Sequence, residues 1–521
     1  MKSKKRIAPI AAALAVSVTI LFISFSIWAQ RDNLYDSLKL FSEVLSNVQS
    51  RYVRPIEADK LIRAAIEGIF KELDPHSGYM DEDEYKELRI GTTGQFGGLG
   101  ITIGMTDDIL TVISPLEGTP AFEAGIMAGD KIVKIEGEST KGITIDQAVK
   151  KLRGKPGTKV SISIQRVGVE GLIDFTIVRD IIKINAIPYS GMLTKDVGYL
   201  RLARFSRDAG RSVADVVDSL RGVGAKKFIV DLRGNSGGLL DEAVDVTEVF
   251  LDPGEQIVTT KGRVPGSSRE YIAHFPSAVR GSPLIVLVDG GSASASEILS
   301  GSIQDWDRGL VVGTTTYGKG SVQTIMPLSN GAALRLTTAE WYTPSGRLIN
   351  KPDSLHAEAE EVKDSSAVVL PKEIFHTVGG LNRAVYGGGG ITPDLELEGE
   401  RIDSLATVLA RGRRFFDFAI KYKSAHKKVE KPFKATAQVI ADFKSYLADN
   451  DVEYSEAQFD SSSDHISRMI ELEISSSLWG TQGRYESMLS RDPWVEKAVD
   501  LLDMSHASGD LFTLAEKTKG K

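Results

Sequence analysis

Leu284-Ile285-Val286-Leu287-Val288-Asp289, followed at once by Gly290-Gly291-Ser292-Ala293-Ser294-Ala295-Ser296-Glu297-Ile298, decides how this chain is read. The first part is a short apolar run of the kind a strand buried on both faces requires. The second is mostly glycine, alanine and serine, so a foreign backbone can come close to a hydroxyl at the strand's end. Further along stands Tyr317-Gly318-Lys319-Gly320-Ser321-Val322-Gln323, where a glycine-flanked lysine offers a base. Together the two segments point to a serine nucleophile served by a lysine and not by a histidine. By itself, the serine run reads more plainly as a helix N-cap with small packing residues.

The flanking sequence continues an alternation of strands and helices. Val197 to Leu202 reads as a strand, and Val213, Val216, Val217 and Leu220 make a helix face. Phe228-Ile229-Val230-Asp231-Leu232 is another strand, ending at Arg233-Gly234-Asn235-Ser236-Gly237-Gly238, and Leu310-Val311-Val312-Gly313 is a further one. The pattern predicts an α/β domain with its chemistry on loops at strand ends.

Upstream, Phe96-Gly97-Gly98-Leu99-Gly100-Ile101 opens a module of short strands and helices that closes near Ile182. Before it, Leu34, Leu38, Phe41, Leu45 and Val48, then Leu61, Ile62, Ala65, Ile66, Ile69 and Leu73, recur at helical spacing and are expected to face a core. Asp74-Pro75-His76-Ser77-Gly78 breaks the second helix. From about Glu400 the chain reads as charged and helical, with Phe415, Phe416, Phe418, Ala419 and Tyr422 as packing residues. The run Asp460-Ser461-Ser462-Ser463-Asp464 reads as a linker, and the whole region as a helical cap or assembly surface.

A chain of 521 residues is too long for one ordinary core. Its net charge of −7 argues against nucleic acid as the main partner. There is no cysteine, which excludes disulfides and thiolate chemistry. Lys2, Lys4, Lys5 and Arg6 precede an uncharged run from Ile7 to Ala29. That pattern predicts a membrane anchor or signal peptide that leaves the rest of the chain facing outward. Gly313 to Lys319 fits a P-loop up to its lysine, but Gly320 stands where a magnesium-binding hydroxyl is needed, and Pro327 blocks a long helix. None of the seven histidines, His76 included, lies in a catalytic or metal motif.

Two resemblances follow from these motifs. The module over 93–183 resembles a PDZ domain. That likeness implies that Gly98, Leu99, Gly100 and Ile101 present backbone N–H groups to a peptide carboxylate, while the peptide adds as a strand. The order of Leu73-Asp74-Pro75-His76-Ser77-Gly78-Tyr79-Met80, this module, Asp231 to Gly238, Ser292 to Ile298, Gly318 to Gln323, Tyr342-Thr343-Pro344-Ser345-Gly346-Arg347 and Gly390-Ile391-Thr392-Pro393-Asp394 resembles the carboxyl-terminal processing peptidases, the tail-specific serine peptidases of family S41.

The second resemblance implies a multidomain α/β protein: an α/β serine-peptidase core with an inserted PDZ domain, an N-terminal helical segment and a C-terminal helical region. The corresponding ranges are 1–30 for the anchor or signal peptide, 31–92, 93–183, 184–398 with an insertion at about 351–387, and 399–521. It also implies Ser294 as nucleophile, Lys319 as general base and Gln323 as its support. Ala295 and Gly237, with Gly238 as the alternative to Gly237, would form the oxyanion hole. Ser292, Ser296 and Asp305 would be structural. Ordinary lysine titrates at about 10.4, so such a base needs an enclosed site.

No metal or organic cofactor is implied. The expected partners are protein C-termini as substrate and the inner membrane on its periplasmic side, with a homo-oligomer or an adaptor protein as further possibilities. The rival expectation is a PDZ-bearing periplasmic adaptor or holdase with an inactive peptidase core.

Overall fold

The computed structural model describes residues 34–351, 373–399 and 404–519. The expected anchor and most of the expected insertion lie outside these residues. Among the described residues no helix is long and apolar enough to cross a membrane. The chain divides into a first unit ending at Tyr79 and a second beginning at Met80.

In the first unit a helix over 34–51 is followed by the helix Ala58–Phe70. The expected core-facing stripes are not buried. Leu34, Leu38, Phe41, Ile62, Ile69 and Leu73 are all exposed, and the second helix has no buried residue. Helical periodicity is real here, but these two helices bury no core of their own. The Asp74 break is an Asx turn: Oδ1 accepts from the backbone N–H of His76 (2.9 Å) and Ser77 (3.1 Å), and Oδ2 from the Ser77 hydroxyl (2.8 Å).

The second unit opens with the helix Glu82–Thr93, started by an Asp81–Glu84 capping box. Next come strands Ile101–Thr106, Ile109–Pro115, Lys131–Ile135, Lys159–Gln165 and Ile173–Val178, an antiparallel sheet in that order. Leu110, Val112, Ile132, Val160, Ile162 and Ile164 alternate inward to form the core of this module. The helix Ile145–Leu152 adds Ala148 and Leu152 to it. The flanking strands Gln95–Gly98 and Asp180–Lys183 pair with each other. The module therefore hangs on a two-stranded stem, as an insertion must if it is to leave its host domain intact.

The host sheet has six strands in sequence order: β1 (Tyr189–Met192), β2 (Val197–Arg201), β3 (Lys227–Asp231), β4 (Leu284–Val288), β5 (Leu310–Gly313) and β6 (Leu395–Glu396). All neighbours from β2 to β6 are parallel, and β1 is antiparallel to β2. Arg201 is level with Asp231, Asp231 with Leu287, and Leu287 with Val312. The loops leaving β3, β4 and β5 therefore start side by side at one edge, where open α/β sheets place their ligands.

Both faces of this sheet are covered, as its apolar central strands Leu284–Val288 and Leu310–Gly313 require. Leu200, Phe228, Val230, Val286 and Val311 pack under the helices Ala209–Gly222, Leu240–Glu248 and Ala295–Asp305. Tyr199, Ile229, Ile285, Leu287 and Val312 pack on Val495, Ala498, Leu501, Leu502, Leu511 and Phe512. Those residues belong to the helices Pro493–Asp503 and Ser508–Lys519. The end of the expected C-terminal cap is thus a layer of the host domain itself.

The intervening residues 404–489 form a separate aromatic core that includes Phe415, Phe418, Phe443, Phe459 and Ile470. The expected linker at Asp460–Asp464 is instead the junction of two helices, Glu456–Ser461 and Ser463–Leu489, with Ser462 buried. Serine serves helix ends as readily as linkers, and the sequence alone favoured the wrong alternative.

The PDZ-like module rests on this helical region. A Cβ on Gly129 would come within 2.7 Å of Ile420, and Arg414 reaches Asp107 at 3.8 Å. Asp417 sits at this contact. Burial and then Asp107 push its carboxyl up to about 6, against Arg414, Lys131 and Arg413. Its folded pKa lies above its unfolded one, so the native chain holds the extra proton and loses stability as pH rises from about 4 to 6. Calorimetry between pH 4 and 7 should show Asp417→Asn shedding that decline and melting a few degrees higher at pH 7. Parallel curves for the two proteins would contradict this.

Candidate active site

The serine run leaves β4 and turns sharply into the helix Ala295–Asp305, all of whose residues are buried. Its three serines differ in environment. Ser292 is fully buried and donates to the Leu232 carbonyl at 2.9 Å. Ser296 is fully buried and donates to the Asn235 carbonyl at 2.8 Å. Both bind the serine run to the loop that leaves β3. Ser294 between them is half-buried and sits at φ 55°, ψ −111°. A positive φ on a non-glycine residue costs on the order of 1–3 kcal/mol and persists only where its surroundings enforce it. Strand–turn–helix junctions with such a residue lift its side chain clear of the sheet edge.

Glu297 does much of the enforcing. It is fully buried, and its two oxygens accept four hydrogen bonds. Oε2 takes the backbone N–H of Ser294 at 2.7 Å and of Lys319 at 3.0 Å. Oε1 takes the Thr316 hydroxyl at 2.6 Å and the Gly318 N–H at 2.6 Å. One oxygen therefore ties the backbone of the expected nucleophile to that of the expected base. Burial pushes the Glu297 carboxyl up, and its hydrogen bonds from Thr316, Lys319, Gly318 and Ser294 pull it back only in part. Four donors on two oxygens leave no place for a carboxyl proton, so the geometry fits the ionised form.

Lys319 is half-buried and precedes the strand Ser321–Pro327, not a helix. The P-loop match is therefore coincidental. Tyr317 N–H to the Ser292 carbonyl (3.0 Å) adds a second link between the two loops. Gln323 lies on that strand, and its Nε2 donates to Ser321 Oγ at 2.8 Å and to Thr337 Oγ1 at 3.4 Å. The donor side of the amide is thus engaged with the sheet, and its carbonyl is the side left to accept.

Gly237 lies against the serine turn: a Cβ there would stand 3.0 Å from both Ala295 N and Ser294 Cβ. Its φ of 98° also favours glycine. Ala295 opens its helix, where the backbone N–H has no intrahelical acceptor. The Gly237 N–H, however, donates to Asn235 Oδ1 at 2.9 Å. Of the two glycines weighed as oxyanion donors, Gly237 is thus engaged within its own loop. Gly238 has an N–H with no partner among the described residues.

Asp305 is fully buried in an ion pair with Arg347, which is fully buried as well, and accepts the Ser345 N–H at 2.9 Å. This explains the Thr343–Arg347 motif as a clasp on the far end of the serine helix.

In the inserted module, Leu99 is buried and Gly100 turns the chain at φ 78°. The Leu99 carbonyl accepts from Ala121 N–H at 2.9 Å, and that of Gly100 from Leu116 N–H at 2.8 Å. Ile101 then starts the edge strand Ile101–Thr106. Arg153, at the end of the helix Ile145–Leu152, stands 4.7 Å from the Phe96 ring centre and pairs with Glu87.

Sequence reading missed Glu297 as a functional residue. The available signal was an acid three residues after Ser294, beside serines that read as a helix N-cap, but a capping role accounts for that pattern without any link to the lysine loop.

Sequence-family models agree with this architecture. The sequence model of Peptidase family S41 matches residues 196–355, and that of a PDZ domain matches 111–166. An activating protease CtpB N-terminal domain matches 26–84, and a probable PDZ-protease C-terminal helical domain matches 405–458. A carboxy-terminal-processing protease of Bartonella bacilliformis is 43% identical over 343 residues, covering 65% of this chain and 78% of that protein. The carboxy-terminal processing protease CtpA of Bacillus subtilis is 35% identical over 347 residues, covering 65% and 73%. Among solved structures, a photosystem II D1 C-terminal processing protease aligns at 26% identity and a TM-score of 0.37, covering 71% of this chain and 96% of that one.

Glu297→Gln tests the carboxylate link. In either orientation its amide nitrogen would face two hydrogen-bond donors, and each buried donor left unmatched costs about 1–3 kcal/mol. Steady-state proteolysis should show kcat at least about tenfold below the parent. A value within twofold would show that the link is dispensable.

Proposed function

The chain belongs to peptidase family S41, as a carboxy-terminal processing protease and a serine-type peptidase, and on that basis we propose a Ser294–Lys319 mechanism acting on protein C-termini. Ser294 Oγ attacks the scissile carbonyl and passes its proton to the Lys319 amine. Ala295 and the Gly237-Gly238 step supply N–H groups to the tetrahedral oxyanion, where preorganised donors act on charge absent from the ground state. Lys319 returns the proton to the leaving amine, and water then releases the acyl-enzyme. Gln323 orients the lysine through its amide carbonyl.

The observation that carries this reading is the single Glu297 oxygen that holds both the Ser294 and the Lys319 backbones. The half-buried state of Ser294, beside two serines consumed by structural bonds, supports its choice as nucleophile.

Substrate capture would use the inserted module. A C-terminal carboxylate would meet the Gly98–Ile101 turn while the tail pairs with the Ile101–Thr106 edge. The basic N-terminus and the uncharged run after it support action at the periplasmic face of the inner membrane.

Purified Ser294→Ala and Lys319→Ala should each lose roughly 10⁴-fold or more in casein turnover and lose fluorophosphonate labelling, with unchanged circular dichroism. Turnover retained in both would overturn the mechanism. Removing the module's turn by Gly100→Val should raise KM for a tail peptide far more than it lowers kcat on an unfolded protein. Equal effects on both would argue against tail capture.

A further inference from the structure

The loop proposed to hold the oxyanion begins at Arg233, and Arg233 is held from the far end of the chain. Asp231, at the end of β3, is fully buried. It accepts from Tyr199 Oη at 2.7 Å, from Arg201 Nη1 at 2.6 Å, and from Arg233 through its backbone N–H at 2.9 Å and Nη2 at 2.6 Å. Burial pushes the Asp231 carboxyl up, and the Arg233 and Arg201 guanidiniums outweigh it, so it titrates below its ordinary value.

Asp231 already engages Nε and Nη2 of Arg233, yet the same Nη2 also meets Asp492 Oδ2 at 2.8 Å. Asp492 is the N-cap of the helix Pro493–Asp503, and its other oxygen accepts from Trp494 N–H at 3.0 Å and Val495 N–H at 3.2 Å. The Trp494 ring centre lies 5.6 Å from the Arg233 guanidinium.

The residues after Arg233 lead directly to the site. Gly234 N–H donates to Asp289 Oδ1 at 2.7 Å. The Asn235 carbonyl receives the Ala293 N–H at 3.0 Å and the Ser296 hydroxyl at 2.8 Å. Gly237 then lies against Ser294 and Ala295. Arg233 is thus a fixed point at the start of the Gly234–Gly238 loop, clamped between Asp231 of the sheet and Asp492 of the covering helix.

We propose that Asp492 is a positioning residue for peptide hydrolysis, acting through Arg233 to set the Gly234–Gly238 loop against the serine turn. This rests on the reading above, in which that loop contributes an oxyanion donor. It gives the C-terminal helices a role in catalysis beyond covering the sheet. The two carboxylate oxygens of Asp492 have separate tasks, and this makes the role separable from stability. Asparagine caps helices about as well as aspartate. At position 492 its carbonyl would keep the cap, while its amide –NH₂ would face the Arg233 Nη2 donor and lack the charge. Arg233 would still be paired with Asp231, so no buried cation is stranded.

The test compares the full-length parent, Asp492→Asn, Asp492→Ser and Ser294→Ala. The probes are an internally quenched casein peptide and a peptidyl boronate of the same sequence as transition-state analogue. Asp492→Asn should lower kcat roughly 10- to 100-fold with KM within about twofold, the size of loss expected when one oxyanion donor is misplaced. Boronate affinity should fall by the same factor, and Tm by only a few degrees. Asp492→Ser, which also keeps a capping oxygen, should behave alike and serves as the measured variant should Asp492→Asn not fold.

If kcat and boronate affinity stay within twofold in the folded variants while Ser294→Ala is inactive, the Asp492 role is wrong and the site reading stands. If losses in kcat follow losses in Tm across the variants while boronate affinity is unchanged, Asp492 is merely structural and the proposal falls. If Ser294→Ala turns over the peptide, the underlying reading fails and the proposal with it.

Discussion

A carboxylate with no exposure to water, holding four donors from two loops, is the constraint on which the proposed chemistry depends. Removing a carboxylate from water is costly unless its lone pairs are matched. Glu297 is matched by Ser294, Thr316, Gly318 and Lys319 together. None of these donors can leave without exposing the rest to that cost, so the serine turn and the lysine loop keep one relative geometry. The strained φ of Ser294 is one consequence, since its N–H is committed to the Glu297 carboxylate. The tight packing of Gly390 on Thr316 is another: a Cβ on Gly390 would stand 2.4 Å from the Thr316 carbonyl. Thr316 is further latched by the Ile391 N–H at 2.7 Å.

The rest of the fold carries this centre. Parallel strands in register deliver three loops to one edge, and buried helices on both sides keep that edge from shearing. One of the two covering layers arrives only at residues 493–519. One face of the sheet is therefore uncovered until these helices are in place. The inserted module is tied to the helix Glu82–Thr93 by Lys150–Asp83 at 2.7 Å, and to the helical region by Arg414–Asp107 at 3.8 Å. The first pair is solvent-exposed and individually weak, whereas the second lies beside the packing of Gly129 on Ile420.

Much of this was legible in the sequence because the signals were strong and local. Val197–Leu202, Phe228–Leu232 and Leu284–Val288 are mainly apolar runs, the last two leading into glycine-containing loops, and each forms a core strand. The order of motifs was specific enough to indicate the family. What failed depended on partners distant in sequence. The stripes from Leu34 to Leu73 have perfect helical spacing, but spacing does not say what covers a face. The serine run at 460–464 was misjudged because a helix junction and a linker share the same composition, whereas the C-terminal helical region was anticipated without showing which of its helices cover the sheet. Asn235 claims the Gly237 amide through a side-chain bond that no pattern of residue types reveals. Glu297 was visible as a residue but not as a link, because its partners Thr316 to Lys319 belong to another loop.

The most direct measurement is a crystal structure of the full-length protein after reaction with a peptidyl boronate. The account predicts boron bonded to Ser294 Oγ, one boron oxygen within hydrogen-bond distance of the Ala295 N–H, Lys319 Nζ beside Ser294 Oγ, and Glu297 still holding both loops. A boronate bound at another serine, or at Ser294 with the Lys319 loop separated from Glu297, would contradict it.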